Sequence, residues 1–264
     1  MSAQHTHVII VVGAGPAGMA VAASLAKAGH EVIILNRDIK FGGLAEYGIF
    51  PAKLKLRGGL KKQYWELLER PNVHYFGNVS IGNGKDLTVE EVRNLGASAV
   101  VFSIGAQGTK EIGVEGDSAK GVFHAKDVVY HFNRLPGFGD HPFDMGKHVA
   151  VIGVGNVMAD IAHWLVRYKK VERVTAIARR GPLERKYDSK EIRAVCSNMD
   201  REGLTKEFAR IKDRLTAVGQ NADEVFKGLT DEFTKCEQTV SETNMGFTFL
   251  ASHKRILVDE NTRV

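Results

Sequence analysis

Cysteine is nearly absent from this chain of 264 residues: Cys196 and Cys236 are the only two, and no Cys-x-x-Cys occurs. Two cysteines are too few for an iron–sulfur cluster or a zinc ribbon. Without the vicinal motif, an electron relay through an internal Cys-x-x-Cys disulfide is excluded. Both residues lie in separate helical patterns and read as ordinary reduced thiols. No apolar run reaches the about 18 residues a membrane span requires, and Met1 to His7 is too polar for a signal peptide. The expectation is a cytoplasmic protein that does not enter a membrane. Histidines such as His124, His131, His141 and His148 show no metal-ligand spacing, so no metal is expected. Nor do aromatics interleave with the lysines as stacking on a nucleic acid would need. With 44% apolar and 25% charged residues the composition is that of an ordinary globular chain.

Two glycine-rich turns, Gly13-Ala14-Gly15-Pro16-Ala17-Gly18 and Gly153-Val154-Gly155-Asn156, stand about 140 residues apart. Each follows a short β-branched apolar run and opens a helical pattern. Val8 to Val12 has the continuous apolar character of a parallel strand buried on both faces. Gly13 permits the tight turn, Gly15 lets backbone approach a pyrophosphate, and Gly18 lets the next helix pack on the strand. The phosphate then meets a helix N-terminus, where unpaired N–H groups and the helix dipole favour negative charge. Ala17 to Ala28 is the expected helix, ended by Gly29, and Glu31 to Leu35 the second strand. An acidic residue to hold the ribose hydroxyls is expected after that strand, but the position holds Asn36, followed by Arg37 and Asp38. Asn36 is either a neutral ribose contact or a polar strand cap. Candidate contacts to the first dinucleotide are thus Gly13, Gly15, Pro16, Ala17, Gly18, Asn36 and Arg37.

The second turn has a strand before it, His148 to Ile152, and a helix after it, Asn156 to Arg167. Its third glycine position holds Met158, which predicts a looser approach of helix to strand. The following strand, Arg173 to Ala178, runs into Arg179-Arg180. Arginine there suits a 2′-phosphate, since its planar fork binds phosphate oxygens in pairs, and this favours NADP with NAD as the alternative. Two solvated arginines are the bland reading. Gly153, Gly155, Asn156, Val157, Arg179 and Arg180 are the second set of contacts.

The predicted architecture is α/β: two Rossmann-like, three-layer dinucleotide-binding domains, residues 1–106 and 107–264. The first also contains a helix from Lys55 to Glu69, a strand at Val73 to Phe76, a helix opened by a Thr88/Glu91 capping box and a strand at Ala99 to Phe102. Arg201 to Cys236 reads as two or three surface helices broken at Gly219 and Gly228. Met245 to Ala251, then Arg255 to Val258, a turn at 259–262 and Arg263-Val264, read as a β-hairpin cut in mid-strand. The cluster Lys53, Lys55, Arg57, Lys61 and Lys62, in a chain of net charge +5, is either a docking site for an acidic electron carrier or a solvated helix face.

Together with the turns, Gly43-Leu44-Ala45-Glu46-Tyr47-Gly48-Ile49-Phe50-Pro51, Phe76-Gly77-Asn78-Val79, Ile104-Gly105-Ala106 and Arg179-Arg180-Gly181-Pro182-Leu183 make the chain resemble adrenodoxin-reductase-type ferredoxin–NADP reductases. The stretch from Gly42 to Leu54 is also similar to the glutamate synthase small subunit. Both are two-dinucleotide flavoproteins. The resemblance implies an FAD pyrophosphate on Gly13, Gly15, Ala17 and Gly18, with Gly43, Leu44, Tyr47 and Gly48 along the flavin and Gly105 and Ala106 near it. It implies a nicotinamide coenzyme on Gly155, Asn156 and Val157, its 2′-phosphate on Arg179 and Arg180, and Glu191 near the nicotinamide. In that family a later segment returns to complete the flavin domain. The expectation is therefore a truncated chain, or one completed by a partner, that retains FAD poorly alone. The expected activity is hydride transfer between NAD(P)H and FAD, with electrons passed to a ferredoxin-like carrier or a partner redox subunit. The competing expectation is a non-catalytic nucleotide-binding subunit of a larger redox complex.

Overall fold

The computed structural model describes residues 5–106, 108–259 and 264. Its contacts divide the chain into two compact units, one of residues 1–109 with 129–141 and one of 110–128 with 142–264.

The first unit is built on a four-stranded, all-parallel sheet in the order β3-β2-β1-β4. Its strands are β1 (Val8–Val12), β2 (Glu31–Asn36), β3 (Val73–Gly77) and β4 (Ala99–Phe102). Around them run α1 (Pro16–Lys27), the short α2 (Leu44–Tyr47), α3 (Leu54–Leu68) and α4 (Val89–Arg93). Alternate residues of the strands enter two separate cores. Val11, Val32, Ile34 and Val73 pack with Met19, Ala22 and Ala26 of α1 and Leu67 of α3. On the other face Ile10, Val12 and Leu35 pack with Val92 of α4. Helices on both faces give three layers, as the β-branched run in β1 requires. The α4 capping box is present, with Thr88 Oγ1 accepting from the Glu91 amide and the Glu91 carboxylate accepting from the Thr88 amide.

A further helix, α5 (Ala125–Phe132), was not foreseen; its last residues and the chain after them belong to the first unit. Tyr130, Leu135 and Phe138 pack against Tyr47 there, and Phe132 meets Phe50 edge-on.

The second unit has a three-stranded parallel sheet, order β5-β6-β7, from β5 (His148–Ile152), β6 (Arg173–Ile177) and β7 (Asn244–Thr248). Its helices are α6 (Asn156–Trp164), α7 (Ser189–Ile192), α8 (Arg201–Ala217) and α9 (Ala222–Asp231). The helix expected to run from Asn156 to Arg167 changes character at its end. It tightens no further in α form but widens into a π-helical turn, Leu165–Lys169, closed by Lys170 in the left-handed conformation.

Three sequence expectations are corrected here. Met245 to Ala251 is not the first arm of a hairpin: β7 pairs in parallel with β6, Met245 opposite Val174 and Phe247 opposite Ala176. Arg255 makes an isolated parallel bridge to Glu115, not a return pair. Turn residues bias a local reversal, but α8 and α9 supply the long crossover that a parallel neighbour needs. The expected turn and return strand fall largely on residues 260–263, outside the described residues. Second, α9 is not broken at Gly228. That glycine lies on the exposed face, while Ala222, Val225 and Leu229 form the buried stripe, so the fold absorbs a propensity cost of about 1 kcal/mol. Gly219 does stop α8, with positive φ and its amide on the Thr216 carbonyl. Third, the cysteines are not free thiols. Cys196 and Cys236 are joined as a disulfide with Cα atoms 5.4 Å apart, because α8 and α9 carry the chain out and back to its starting point. Sequence spacing alone could not show that return.

Among the described residues no helix is long and apolar enough to cross a membrane.

Candidate dinucleotide sites

Both glycine turns lie at the carboxyl ends of parallel strands, where ligands of open α/β sheets bind. In the first unit the turn is built by close backbone contacts. Gly13 has φ +102°, and a Cβ there would lie 2.5 Å from the Ser103 carbonyl oxygen at the end of β4. At Gly18 a Cβ would collide with the Gly13 carbonyl oxygen, a backbone atom that cannot swing away. Gly15 is different: a Cβ there would meet nothing of the chain within 4 Å. The fold therefore does not demand glycine at position 15, and its bare backbone stays open at the start of α1. Gly15 is the N-cap, its carbonyl taking the Met19 amide at 2.9 Å, and Pro16 opens the helix with no N–H to satisfy.

Gly42 and Gly43 lie over this turn. The Gly42 amide donates to the Ala14 carbonyl at 2.7 Å, and a Cβ on Gly43 would stand 3.0 Å from the Gly15 Cα. Leu44 is exposed, Tyr47 is buried, and the Gly48 amide closes α2 on the Leu44 carbonyl. Burial, and then the Asp38 and Glu46 carboxylates, raise the Tyr47 phenol above its ordinary range, so it stays protonated. Two residues hold this loop. Asn133, which the sequence does not point to, donates to the Tyr47 carbonyl at 2.9 Å across 86 residues of chain. Arg57, expected in the basic docking or solvated cluster, is half-buried and donates to the Glu46 carbonyl at 3.2 Å. Gly105 and Ala106 follow β4 and are exposed; it is Ser103 and Ile104 that abut the glycine turn.

Asn36 sits at the end of β2 and is buried. Its Oδ1 accepts from the Ala14 amide at 3.0 Å, and its Nδ2 donates to the Asp38 carbonyl at 2.7 Å, with the Lys40 carbonyl and Tyr75 hydroxyl at 3.1 and 3.2 Å. The side chain is thus a cross-link between the glycine turn and the loop after β2, and a ribose hydroxyl would have to share its atoms. Arg37 is exposed and pairs with Asp38 at 3.3 Å.

In the second unit Gly153 has φ +119° and donates to the Ile177 carbonyl at 2.8 Å. Gly155 caps α6, and a Cβ there too would meet nothing within 4 Å. Asn156 and Val157 are exposed at the helix start, while Met158 points inward and is buried. Arg179 and Arg180 are exposed just after β6, the neighbour of β5, so both lie at the sheet end that carries the turn.

The run after Arg180 folds back on the turn. The Lys186 amide donates to the Val154 carbonyl at 2.8 Å, and the Asp188 amide donates to Asn156 Oδ1 at 2.8 Å. Asp188 in turn caps α7, the short helix that holds Glu191. Glu232 anchors the same run from outside, forming an ion pair with Arg185 and accepting from the Ser189 hydroxyl at 2.9 Å. The guanidinium of Arg185 lies over the ring of Tyr187, whose phenol is pushed far up by burial and then by the Glu232 carboxylate. No sequence signal links Glu232 to a segment more than 40 residues earlier.

Residues 7–240 match the family model described as pyridine nucleotide-disulphide oxidoreductase. The chain belongs to this family. Among its relatives, NADPH-ferredoxin reductase FprA of Mycobacterium leprae is 29% identical over 77% of this chain and 49% of its own length. The NADPH:adrenodoxin oxidoreductase of Salvelinus fontinalis is 31% identical over 80% of this chain and 48% of its own. The glutamate synthase [NADPH] small chain of Bacillus subtilis is 34% identical over 61% of this chain. The solved structure of Mycobacterium tuberculosis FprA in complex with NADPH superposes with TM-score 0.78 at 25% identity, covering 97% of this chain and 62% of its own. The chain thus spans about half the length of the first curated relatives it matches. The α/β, two-dinucleotide fold expected from the paired turns is the fold of this family.

Proposed function

We propose that this chain is the dinucleotide-holding part of an NAD(P)H-dependent flavin oxidoreductase, working in the cytoplasm, with FAD on residues 1–106 and NADP(H) on residues 107–264. The observation that carries this reading is the repeated cradle: Gly15 and Gly155 each cap a helix at the carboxyl end of a parallel sheet, and at neither does the chain itself need a glycine. The relatives are named for NADPH and for ferredoxin or adrenodoxin, which supports the assignment of coenzymes and of a small redox protein as acceptor.

Bound in the first cradle, a flavin would supply the chemistry by taking hydride from reduced nicotinamide and releasing electrons singly to an acceptor. Such a transfer asks no nucleophile or general base of the protein, only positioning and exclusion of water. Gly13, Gly15, Pro16, Ala17 and Gly18 would hold one diphosphate, and Gly43, Leu44, Tyr47 and Gly48, with Gly105 and Ala106 beyond β4, would line the flavin. Asn36 keeps the turn in shape, and Arg37 is the charged group nearest it in sequence. Gly153, Gly155, Asn156 and Val157 would hold the second diphosphate, Arg179 and Arg180 its 2′-phosphate, and Glu191 the nicotinamide end. NAD remains the alternative coenzyme. The exposed face of α3, with Leu54, Lys55, Lys61, Lys62 and Trp65, offers positive charge and apolar area to an acidic ferredoxin-like carrier or a redox subunit.

Stopped-flow mixing of the FAD-supplemented chain with NADPH tests the proposal. The flavin absorption band should bleach, and replacing Arg179 and Arg180 together with alanine should weaken NADPH use far more than NADH use. Bound flavin that does not bleach would favour a non-catalytic nucleotide-binding subunit instead.

A further inference from the structure

The segment from Arg185 to Met199 is fastened at both ends. At its front, Lys186 and Asp188 bond to Val154 and Asn156 of the second glycine turn. At its back it meets the chain that leaves α9. Glu232 holds Arg185 and Ser189, the Glu237 amide donates to the Arg193 carbonyl at 2.8 Å, and Arg167 bridges the Ala194 carbonyl and the Glu237 carboxylate at 2.7 and 3.1 Å. Between these polar contacts lies the covalent one, Cys196–Cys236, spanning 40 residues of sequence. Cys196 directly follows the α7 region and is wholly buried, whereas Cys236 is partly exposed.

We propose that Cys196–Cys236 is a thiol–disulfide switch site, opened by a soluble dithiol, that sets how firmly the Asp188–Met199 segment is held and thereby the affinity of the second unit for pyridine nucleotide. The link to affinity rests on the function proposed above. Several geometric facts favour a switch over a plain staple. The bond ties the run carrying Glu191 to a different stretch of chain, and beside it the Arg167–Glu237 tie ends on an exposed carboxylate, while Asn198 adds part-buried bonds to the Ser241 and Thr243 carbonyls. One sulfur belongs to a partly exposed residue, and access governs exchange. Moreover, a disulfide in a cytoplasmic protein is usually transient.

The exchange balances simply. A thiolate of the dithiol attacks Cys236 Sγ, the Cys196–Cys236 bond breaks, and Cys196 leaves as a thiolate that takes up a proton. The second thiol of the reagent then attacks the mixed disulfide and expels Cys236. Two electrons pass from dithiol to protein, and the reagent ends as its own cyclic disulfide.

The test uses the full chain, oxidised and after dithiothreitol, with thiols counted in denaturant. The oxidised protein should show no titratable thiol and the treated one two. The dissociation constant for NADPH should rise on reduction by about two- to thirtyfold, the span of coupling between packed segments. Cys236→Ser should carry the raised constant in both conditions. Hydrogen exchange of the amides from Ile192 to Met199 should quicken on reduction in the wild type and be fast throughout in the variant. Two free thiols after treatment with an oxidised dithiol would overturn the proposal, as would exchange or affinity indifferent to reduction. If neither form binds NADPH, the functional assignment falls, while amide exchange still decides the switch.

Discussion

The two glycine turns share a plan but differ at equivalent positions. At the third position of the motif Gly18 sits where a Cβ would strike the Gly13 carbonyl, while Met158 in the second turn is itself a core residue, 3% exposed. At the end of the next strand the first unit has a buried asparagine bonded to its own chain, and the second has two exposed arginines. The sheets differ in the same sense. β1 is buried over four of its five residues, whereas β5 buries Val151 and exposes His148, Ala150 and Ile152. The motif therefore specifies a helix start beneath a strand end. How tightly the helix lies on the strand, and whether the strand end faces inward or outward, is decided by what packs around it.

The sharpest way to break this comparison is to place alanine at each of the two third positions. Gly18→Ala places a methyl against backbone, which can be relieved only by moving α1 or the turn, and should cost more than about 3 kcal/mol, in the range reserved for severe core mutations. Thermal unfolding should show the loss, and FAD binding should weaken with it. Met158→Ala should act in the opposite physical sense, removing contacts and leaving a cavity, at about 2–5 kcal/mol. If Gly18→Ala were tolerated and Met158→Ala neutral, the two turns would not differ in the way their contacts indicate.

Much of this was legible in the sequence because it is local. The strands at Val8, Glu31, Ala99, His148 and Arg173 announce themselves by short apolar runs rich in β-branched residues and the one at Val73 by its aromatic pair Tyr75-Phe76, and Gly13, Gly15 and Gly18 carry the turn in their order. The Thr88/Glu91 cap was readable because both partners lie within one helical turn. What was not legible is long-range. The Cys196–Cys236 bond, the hold of Glu232 on Arg185 and Ser189, and the parallel pairing of β7 all depend on where α8 and α9 return the chain. The tie from Asn133 to Tyr47 spans 86 residues. Asn36 was recognisable as a departure from an acidic residue, but its inward bonds depend on the path of Asp38 to Lys40, which no periodicity encodes.

The smaller contrast, at the strand ends, can be sharpened by Asn36→Asp. An aspartate keeps the acceptor for the Ala14 amide but puts its second carboxylate oxygen where Nδ2 now donates to the Asp38 and Lys40 carbonyls and the Tyr75 hydroxyl. The ionised form would lie against those carbonyl oxygens, so the folded variant should hold its carboxyl protonated above the usual aspartate range. A group whose folded-state pKa is raised contributes its stability below the unfolded value and loses it as pH rises through the folded value. The variant should therefore be near wild type at acidic pH and about 1–3 kcal/mol less stable at neutral pH, the cost of unmatched buried polar groups. Denaturant unfolding at the two pH values measures this difference. Addition of FAD separates the two roles weighed for this position. A ribose contact would let the added carboxylate strengthen flavin binding, while the cross-link seen in the structure predicts weaker binding at neutral pH and recovery on acidification. An Arg180→Asp change at the corresponding strand end of the second unit should show no such pH-dependent loss of stability, since that side chain is exposed.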